Sequence, residues 1–340
     1  MPAAFVLIVN YCTGPLVVDC LASLVSELPA LHGGRVIVVD NASGDDSVAH
    51  IGAAIDECGW GDWADLIALP RNGGFAYGNN LALERVRAHD PAFYAIVCLN
   101  PDTNVRPGAL AALLGQFSAT PRAGIVGALI EDEHGVRQRA GHAFPSPIGE
   151  LDRAAQLGLL SRVLTRSTTG KALDDAPRRF DWVSGACFAV RRQVIEQIGG
   201  FDEGYFLYFE ETDFCFRAQG AGWSCWQVPQ AEVVHFEGAS TGINRAAQRR
   251  PAYWYASRRR FFLKAYGVAG LFAADLLWAL GRCSLLFRRG FGLGGQQEQA
   301  REPRCVFLDL VVGDLRALVK GEWFGIRVPA RRAPTPPLTL

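Results

Sequence analysis

An α/β fold is predicted here, with a mixed, mostly parallel central sheet flanked by helices and a helical C-terminal extension. Three observations predict it. Short β-branched runs alternate with helix-length segments through the first 120 residues, the pattern of βαβ units. The runs are apolar without alternation, as strands covered on both faces require. A long apolar stretch bracketed by arginines, Gly267 to Phe287, follows near the C-terminus.

Phe5 to Val9 and Val36 to Val39 read as buried parallel strands, with a helix from Val17 to Leu28 between them. A third strand is expected at Leu66 to Leu69, a helix from Tyr77 to Arg87, a fourth strand from Tyr94 to Leu99 and a helix from Pro107 to Phe117. Ile125 to Ile130 reads as a further strand. Gly141 to Arg179 mixes Pro, Ser, Thr and charges without periodicity and reads as a loop-rich insertion, with order resuming at Phe180.

The chain has 340 residues, 49% of them hydrophobic, enough for one large core or two modest ones. Its 34 basic and 34 acidic residues balance, so no global field draws it to nucleic acid. Nine cysteines form no CxxC pair and sit mostly in apolar segments, which suggests a reducing, cytoplasmic compartment. The N-terminal apolar run is only strand length and lacks a charged leader, so a signal peptide is not expected.

In sheets of this kind ligands bind beyond the carboxyl ends of the strands, and those ends are polar. They read Asn10-Tyr11, Asp40-Asn-Ala-Ser43, Arg71-Asn-Gly-Gly-Phe-Ala-Tyr-Gly-Asn-Asn80 and Asn100-Pro-Asp102. Singly, each is ordinary turn and capping chemistry. Four such ends on one edge are more than turns need. The turn after Val9 carries neither GxGxxG nor GxxxxGK, so neither phosphate loop is present there.

The ordered set "VNY", "VVDNASGDDS", "NGGFAYGNN", "LNPDTNV", "WVSGACFAVRR", "GGFDEGYFLYFEETDFCFR" and "VVHFEGAST" resembles the family 2 glycosyltransferases. Within them it looks most like the bacterial rhamnosyltransferase branch, over roughly residues 4 to 245. The resemblance implies a GT-A fold, a nucleotide-diphospho-sugar donor, a divalent Mg or Mn ion and inversion at the anomeric carbon. It also implies a transferase domain over 1–245, with a nucleotide-binding half at 1–120 and an acceptor and catalytic half at 121–245.

Breaking a sugar–diphosphate bond leaves negative charge on phosphate oxygens, which a hard Lewis acid stabilises. Asn100-Pro-Asp102 matches the last position of the family's DxD pattern, which makes Asp102 the first expected metal ligand. The resemblance implies His235, after the strand in "VVHF", as the second; alone, a histidine there reads as core. Asn100 is assigned to ribose or to a metal-bound water.

The displacement also needs a base near the acceptor hydroxyl. In "YFEETDFCFRAQGAGW" an aromatic run leads into a helix whose first turn holds Glu210, Glu211 and Asp213. Asp213 and Arg217 suit an i,i+4 pair and helix-dipole compensation. The family signature is commonly Glu-Asp with its second carboxylate as base, which implies Glu211, with Glu210 and Asp213 as alternatives.

For the donor, the resemblance implies backbone at Asn10 and Tyr11 around the base, Asp40 on the pyrimidine edge, and Asn41 and Ser43 supporting that loop. Asn72, Gly73 and Gly74 would let backbone approach the nucleotide; an ordinary turn is the plainer reading. Phe75 and Asn79 read equally as packing and capping. Trp182, Gly185 and Ala186 lie where the family shapes the sugar and acceptor pocket, although Trp182 reads equally as core. An apolar contact at C6 would favour rhamnose by only about 1–3 kcal/mol.

Residues 246–330 read as a helical region that ends in a flexible tail at 331–340. Asp275 and Arg282 interrupt the apolar stretch, each costing about 2.5–3.5 kcal/mol at a bilayer centre, which disfavours a span. Seven apart, they share a helical face suited to bonding a neighbour, leaving Leu271, Trp278, Leu285 and Phe287 to pack or meet lipid. The segment 258–289 reads as a peripheral membrane-surface helix at the inner face of the cell membrane, or equally as a buried helix or homodimer face.

The expected function is transfer of L-rhamnose from dTDP-rhamnose to a glycan or lipid-linked acceptor in bacterial cell-surface polysaccharide synthesis. The rivals are transfer of another sugar from a UDP donor, and a catalytically reduced sugar-nucleotide-binding or scaffold protein.

Overall fold

The computed structural model describes residues 2–156, 175–236, 249–291 and 305–323. The first four strands, β1 (Ala4–Asn10), β2 (Val36–Asp40), β3 (Ala64–Ala68) and β4 (Ala95–Leu99), run parallel in the order β3-β2-β1-β4. The remaining strands are β5 (Thr103–Val105), β6 (Ala123–Glu131), β7 (Arg137–Gln138), β8 (Gly141–His142), β9 (Arg178–Phe180), β10 (Trp182–Val183), β11 (Cys187–Arg191) and β12 (Ser224–His235). The main sheet continues from β4 through β11, β6 and β12 to β5, and is ten-stranded among the described residues. β11 lies antiparallel between β4 and β6, so the sheet is mixed.

Period-two alternation sorts the strand side chains into two cores, because successive Cβ atoms point to opposite faces. Val6, Ile8, Val36, Val38 and Val97 pack with helices α1 (Gly14–Leu24), α2 (Ser47–Glu57) and α4 (Ala109–Ala119). Phe5, Leu7, Ile37, Val39 and Ile96 pack on the other face with α3 (Phe75–His89), α6 (Arg192–Ile198) and α7 (Glu210–Gly220). Both faces are covered, which is why β1, β2 and β4 carry no polar residue before their last positions.

Several elements depart from expectation. The helix read as Val17 to Leu28 begins at Gly14, ends at Leu24 and continues as a 3-10 turn over Val25–Leu31. Pro29 lacks the N–H that an α-helical turn needs. Helix α2 is an addition, with Ser47, Ile51 and Ile55 buried at helical spacing. The loop-rich reading of Gly141 to Arg179 is corrected by β8 and by α5 (Pro147–Ala155), whose first turn is capped where Gly149 N donates to Ser146 Oγ at 3.1 Å. Residues 157–174 of that stretch, the Gly238-Ala-Ser-Thr segment and the 331–340 tail lie outside the described residues.

The C-terminal helix α8 (Ala252–Gly290) is not straight. Gly267, at φ +70°, breaks it into two arms. Arg258 Nη1 then reaches Asp275 Oδ1 at 2.9 Å, although seventeen residues of straight helix would separate them by about 25 Å. Arg258 is buried at 1% side-chain exposure and also meets Asp314 of α9 (Gly313–Val319) at 3.5 Å and Glu150 of α5 at 3.3 Å. Leu271, Trp278 and Leu285 are buried, whereas Phe287 is exposed.

Two helical stretches, Gly14–Leu31 and Ala252–Gly290, are long and apolar enough to cross a membrane by length and composition. The first buries Val17, Cys20, Leu21 and Leu24 against the sheet. The second carries the buried Arg258–Asp275 pair just described.

Candidate active site

Sheet pairing assembles the polar strand ends. Asn100 N, just past β4, donates to Ala186 O at 2.9 Å, bringing the segment before β11 alongside. β5 pairs antiparallel with β12 in a register that sets His235 opposite Thr103, and Phe236 N donates to Asp102 O at 2.9 Å. A histidine 133 positions away in the chain thereby lies beside Asp102. The tight turn at Asn100-Pro101-Asp102 leaves both residues facing a cleft of about 610 Å³, within the usual range of small-molecule sites.

His235 Nε2 stands 3.2 Å from Asp102 Oδ1 and 3.3 Å from Asn100 Nδ2. Asp102 is 3% exposed, and its Oδ1 has no hydrogen-bond partner among the described residues; the same holds for His235 Nδ1. An orphaned buried carboxylate oxygen is expensive to maintain. A carboxylate and an imidazole this close form a donor pair suited to a divalent cation. Among the described residues no cluster of three or more His, Cys, Asp or Glu side chains could hold a metal, so a bound ion would need further oxygens from its substrate.

On the catalytic side Glu210 and Glu211 both line the cleft at the first turn of α7. Burial pushes the Glu211 carboxyl up to about 7, against hydrogen bonds from backbone and from Thr212. Glu210 is raised well above the ordinary carboxylate range, by burial first and then by the charge of Glu211. Burial raises both carboxyls, so the two titrate as one interacting pair whose apparent values belong to the pair.

Asp213 does not face the cleft, which removes it as an alternative base. It is fully buried, accepts from Arg217 Nε at 2.7 Å and pairs with Lys264 of α8. Trp182 is also outside the cleft: its ring stacks on His142 at 4.4 Å and its Nε1 donates to Ala143 O. Asn79 is buried inside α3, donating to Phe75 O at 3.0 Å. A helix of fifteen residues carries it away from the rim.

The nucleotide-side residues divide into a rim and a support. Tyr11, Asn41, Asn72, Gly74 and Asn100 line the cleft, as do Gly185 and Ala186. Asn10, Asp40 and Ser43 lie behind it. Asp40 is 2% exposed and accepts from Asn10 Nδ2 at 2.7 Å, Ser43 Oγ at 2.5 Å and Ser43 N at 3.1 Å. Its carboxylate braces the loop rather than presenting itself at the rim. Gly73 is also set back, where an added Cβ would lie 2.2 Å from the Tyr77 ring.

Among the lining residues that sequence reasoning did not assign are Phe206, Leu207, Tyr208 and Tyr253. The aromatic density of "GYFLYF" directly before the carboxylates was the available signal for three of them. Tyr253 belongs to α8 and needed the tertiary fold.

The mixed sheet, with helices on both faces and the polar strand ends gathered at one cleft, is of the GT-A type found in glycosyltransferases. The profile described as "Glycosyltransferase like family 2" matches residues 2–257, and the chain belongs to that family of glycosyltransferases. It is 32% identical over 300 residues to the N-acetylglucosaminyl-diphospho-decaprenol L-rhamnosyltransferase of Mycobacterium tuberculosis, covering 83% of this chain and 90% of that protein. It is 26% identical over 168 residues to the rhamnosyltransferase WbbL of Escherichia coli K12, covering 48% and 61%.

The fold is shared with solved glycosyltransferases. GalNAc-T7 with UDP, GalNAc and Mn2+ superposes with a TM-score of 0.56 at 15% identity, covering 98% of this chain and 59% of that one. The mannosyltransferase PcManGT of Pyrobaculum calidifontis, with GDP-Man and Mn2+, gives 0.53 at 16%, covering 94% and 81%.

Proposed function

We propose that the protein is an inverting, metal-dependent rhamnosyltransferase, moving L-rhamnose from dTDP-rhamnose to a lipid-linked glycan acceptor in cell-surface polysaccharide synthesis. The observation that carries this reading is the junction in one cleft of the Asp102–His235 pair with Glu211. The rhamnosyl donor and lipid-linked acceptor are supported by the similarity to the mycobacterial enzyme.

Asp102 and His235 would hold a Mg or Mn ion, which when bound offsets charge on the leaving diphosphate. The acceptor hydroxyl oxygen attacks the anomeric carbon from the face opposite the diphosphate. Glu211 takes the hydroxyl proton as the new C–O bond forms. The old C–O bond breaks with its electron pair leaving on the diphosphate oxygen, and the configuration inverts. Glu210, whose carboxyl is raised by burial and then by the charge of Glu211, lines the cleft beside the base. Asn41, Asn72 and Tyr11 orient the nucleotide, with the Asp40 loop bracing them.

The acceptor's lipid is met by the second arm of α8, in a peripheral position on the cytoplasmic leaflet. Val268, Phe272, Leu276 and Leu280 are exposed at four-residue spacing, and the sole acidic residue of 268–291, Asp275, is buried. Such a face suits an anionic bilayer surface. Sedimentation with phosphatidylglycerol vesicles tests it: Leu276→Glu with Leu280→Glu should abolish binding. A dimer in solution that the same variant dissolves would reassign the face to self-association.

The activity test is release of nucleoside diphosphate from dTDP- and UDP-sugars with Mg or Mn, with and without EDTA, in the presence of a GlcNAc-diphospholipid. Turnover of dTDP-rhamnose that EDTA stops is expected. Turnover of a UDP-hexose alone would refute the sugar assignment, and donor binding without turnover would refute the enzyme reading.

A further inference from the structure

Three aromatic rings line the cleft without a role in the steps above. Phe206 and Tyr208 come from the loop before α7, Tyr253 from the start of α8. Ring centroids of Phe206 and Tyr253 are 5.4 Å apart; those of Tyr208 and Tyr253 are 6.1 Å apart and only 19° from parallel. Phe206 is 39% exposed, so the cluster presents ring surface to the cleft instead of closing into the core.

The loop that carries two of these rings is fixed from three sides. Phe75 N donates to Phe206 O at 2.9 Å, Ser257 Oγ donates to Leu207 O at 3.0 Å, and Asp213 N donates to Phe209 O at 2.8 Å. Tyr208 and Phe209 both hold φ at +69°, a left-handed backbone that side chains other than glycine adopt at a cost. Strain over-determined by its surroundings in this way clusters at functional sites. Here it turns the Tyr208 ring into the cleft immediately before Glu210 and Glu211, so wall and carboxylates share one short stretch of backbone.

We propose that Phe206, Tyr208 and Tyr253 form the acceptor subsite, taking the apolar face of the pyranose whose hydroxyl is attacked. This rests on the glycosyl-transfer reading above. A pyranose has a C–H-rich face that suits flat rings, and hydroxyls at its edge that suit polar tips such as the phenol of Tyr253, the Tyr208 hydroxyl itself being buried. A purely aliphatic tail would gain nothing from those polar tips. The tail would leave the cleft past the first turn of α8, which holds Tyr253.

The experiment uses the full chain and two readouts. Saturation-transfer NMR with a short-alkyl GlcNAc diphosphate reads acceptor binding, and release of dTDP from dTDP-rhamnose with and without that acceptor reads turnover. Tyr253→Ala and Phe206→Ala should each weaken sugar binding and raise the acceptor KM at least tenfold. The loss should fall on the acceptor KM more than on the donor KM, and Tyr253→Phe should keep most of the binding because the ring face remains. An acceptor KM unchanged in both alanine variants overturns the subsite, as does a Tyr253→Phe variant as weak as Tyr253→Ala. Wild-type protein that binds the sugar through these rings yet turns over no nucleotide sugar would instead sink the transferase reading and leave the subsite standing.

Discussion

The sheet half of the molecule and its C-terminal helices are held together by opposite means. In the first, β1, β2 and β4 bury aliphatic side chains on both faces, and polar residues wait until the strands end. In the second, α5, both arms of α8 and α9 converge on one buried guanidinium, Arg258, surrounded by Glu150, Asp275 and Asp314. Apolar burial is non-directional and tolerates pH, whereas a buried ion cluster fixes geometry and titrates. The cleft lies where the two meet, with the polar strand ends on the sheet side and the aromatic wall on the charge-pinned side.

The largest expected effect falls on that junction. Glu211→Gln should lower kcat by about 100- to 10,000-fold, the usual contribution of a positioned base, while leaving donor binding and unfolding midpoints unchanged. As the proposed base, Glu211 would act in its ionised form, and burial raises that group to about 7. Activity should therefore climb as pH rises through about 7, and a flat profile from pH 5 to 9 would remove Glu211 from the mechanism.

The two halves are next separated by stability. Arg258→Ala leaves buried Asp275 without its cation, while Glu150 and Asp314 keep Arg153 and Arg259, and should cost about 3–5 kcal/mol in denaturant unfolding. Leu7→Ala, in the sheet, should cost about 2–5 kcal/mol through a cavity. The distinction is pH. The Arg258→Ala cost should shrink at pH 5, where the carboxylates take up protons, whereas the Leu7→Ala cost should not move. Equal pH sensitivity in both variants would erase the contrast.

The wild-type cluster has its own pH signature. Burial raises Asp275 to about 7, with Asp314 adding to it and Arg258 opposing it. A carboxyl raised on folding adds stability that is complete below its unfolded value and is lost as pH rises through about 7. Asp275→Asn should flatten this fall. Asp202 behaves in the opposite sense: burial would raise it, but hydrogen bonds from Arg260 and Lys264 outweigh burial and pull it well below the usual carboxylate range. Its contribution disappears as pH falls into the acid range.

Smaller effects sharpen the comparison at the seam. Gly74 has φ +88°, and an added Cβ would lie 2.1 Å from Phe206 O. Gly74→Ala should cost at least about 1–2 kcal/mol from the left-handed backbone alone and should weaken donor and acceptor binding together, because the two loops touch there. Binding calorimetry on both substrates reads this. Ile8→Val, within the sheet, should cost only about 0.5–1.5 kcal/mol and leave kinetics untouched.

Legibility in the sequence followed the same divide. β1, β2, β4 and β6 were readable to within about two residues, since a run of β-branched side chains with both faces buried has few other solutions. Helix α2 was readable in Ser47, Ile51 and Ile55 but was passed over as turn chemistry after Asp40. Helix α5 was hidden because it is only nine residues long and its buried face is Glu150 with the small Ala154 and Ala155, which read as surface in the sequence.

By itself the sequence determined that polar groups would stand at four strand ends, that Asp102 would close the fourth, and that carboxylates would cluster at the start of α7. These follow from chain-local rules of periodicity, turn chemistry and capping. Only the tertiary structure decided which of them face the cleft. Antiparallel pairing of β5 with β12 set His235 beside Asp102. Lys264, from a distant helix, neutralised Asp213 and withdrew it from catalysis. The fold-back at Gly267 gave Asp275 to Arg258, and Tyr253 joined an aromatic wall that no local pattern announces. Each of these depends on contacts between residues far apart in the chain, and no local spacing specifies such a contact.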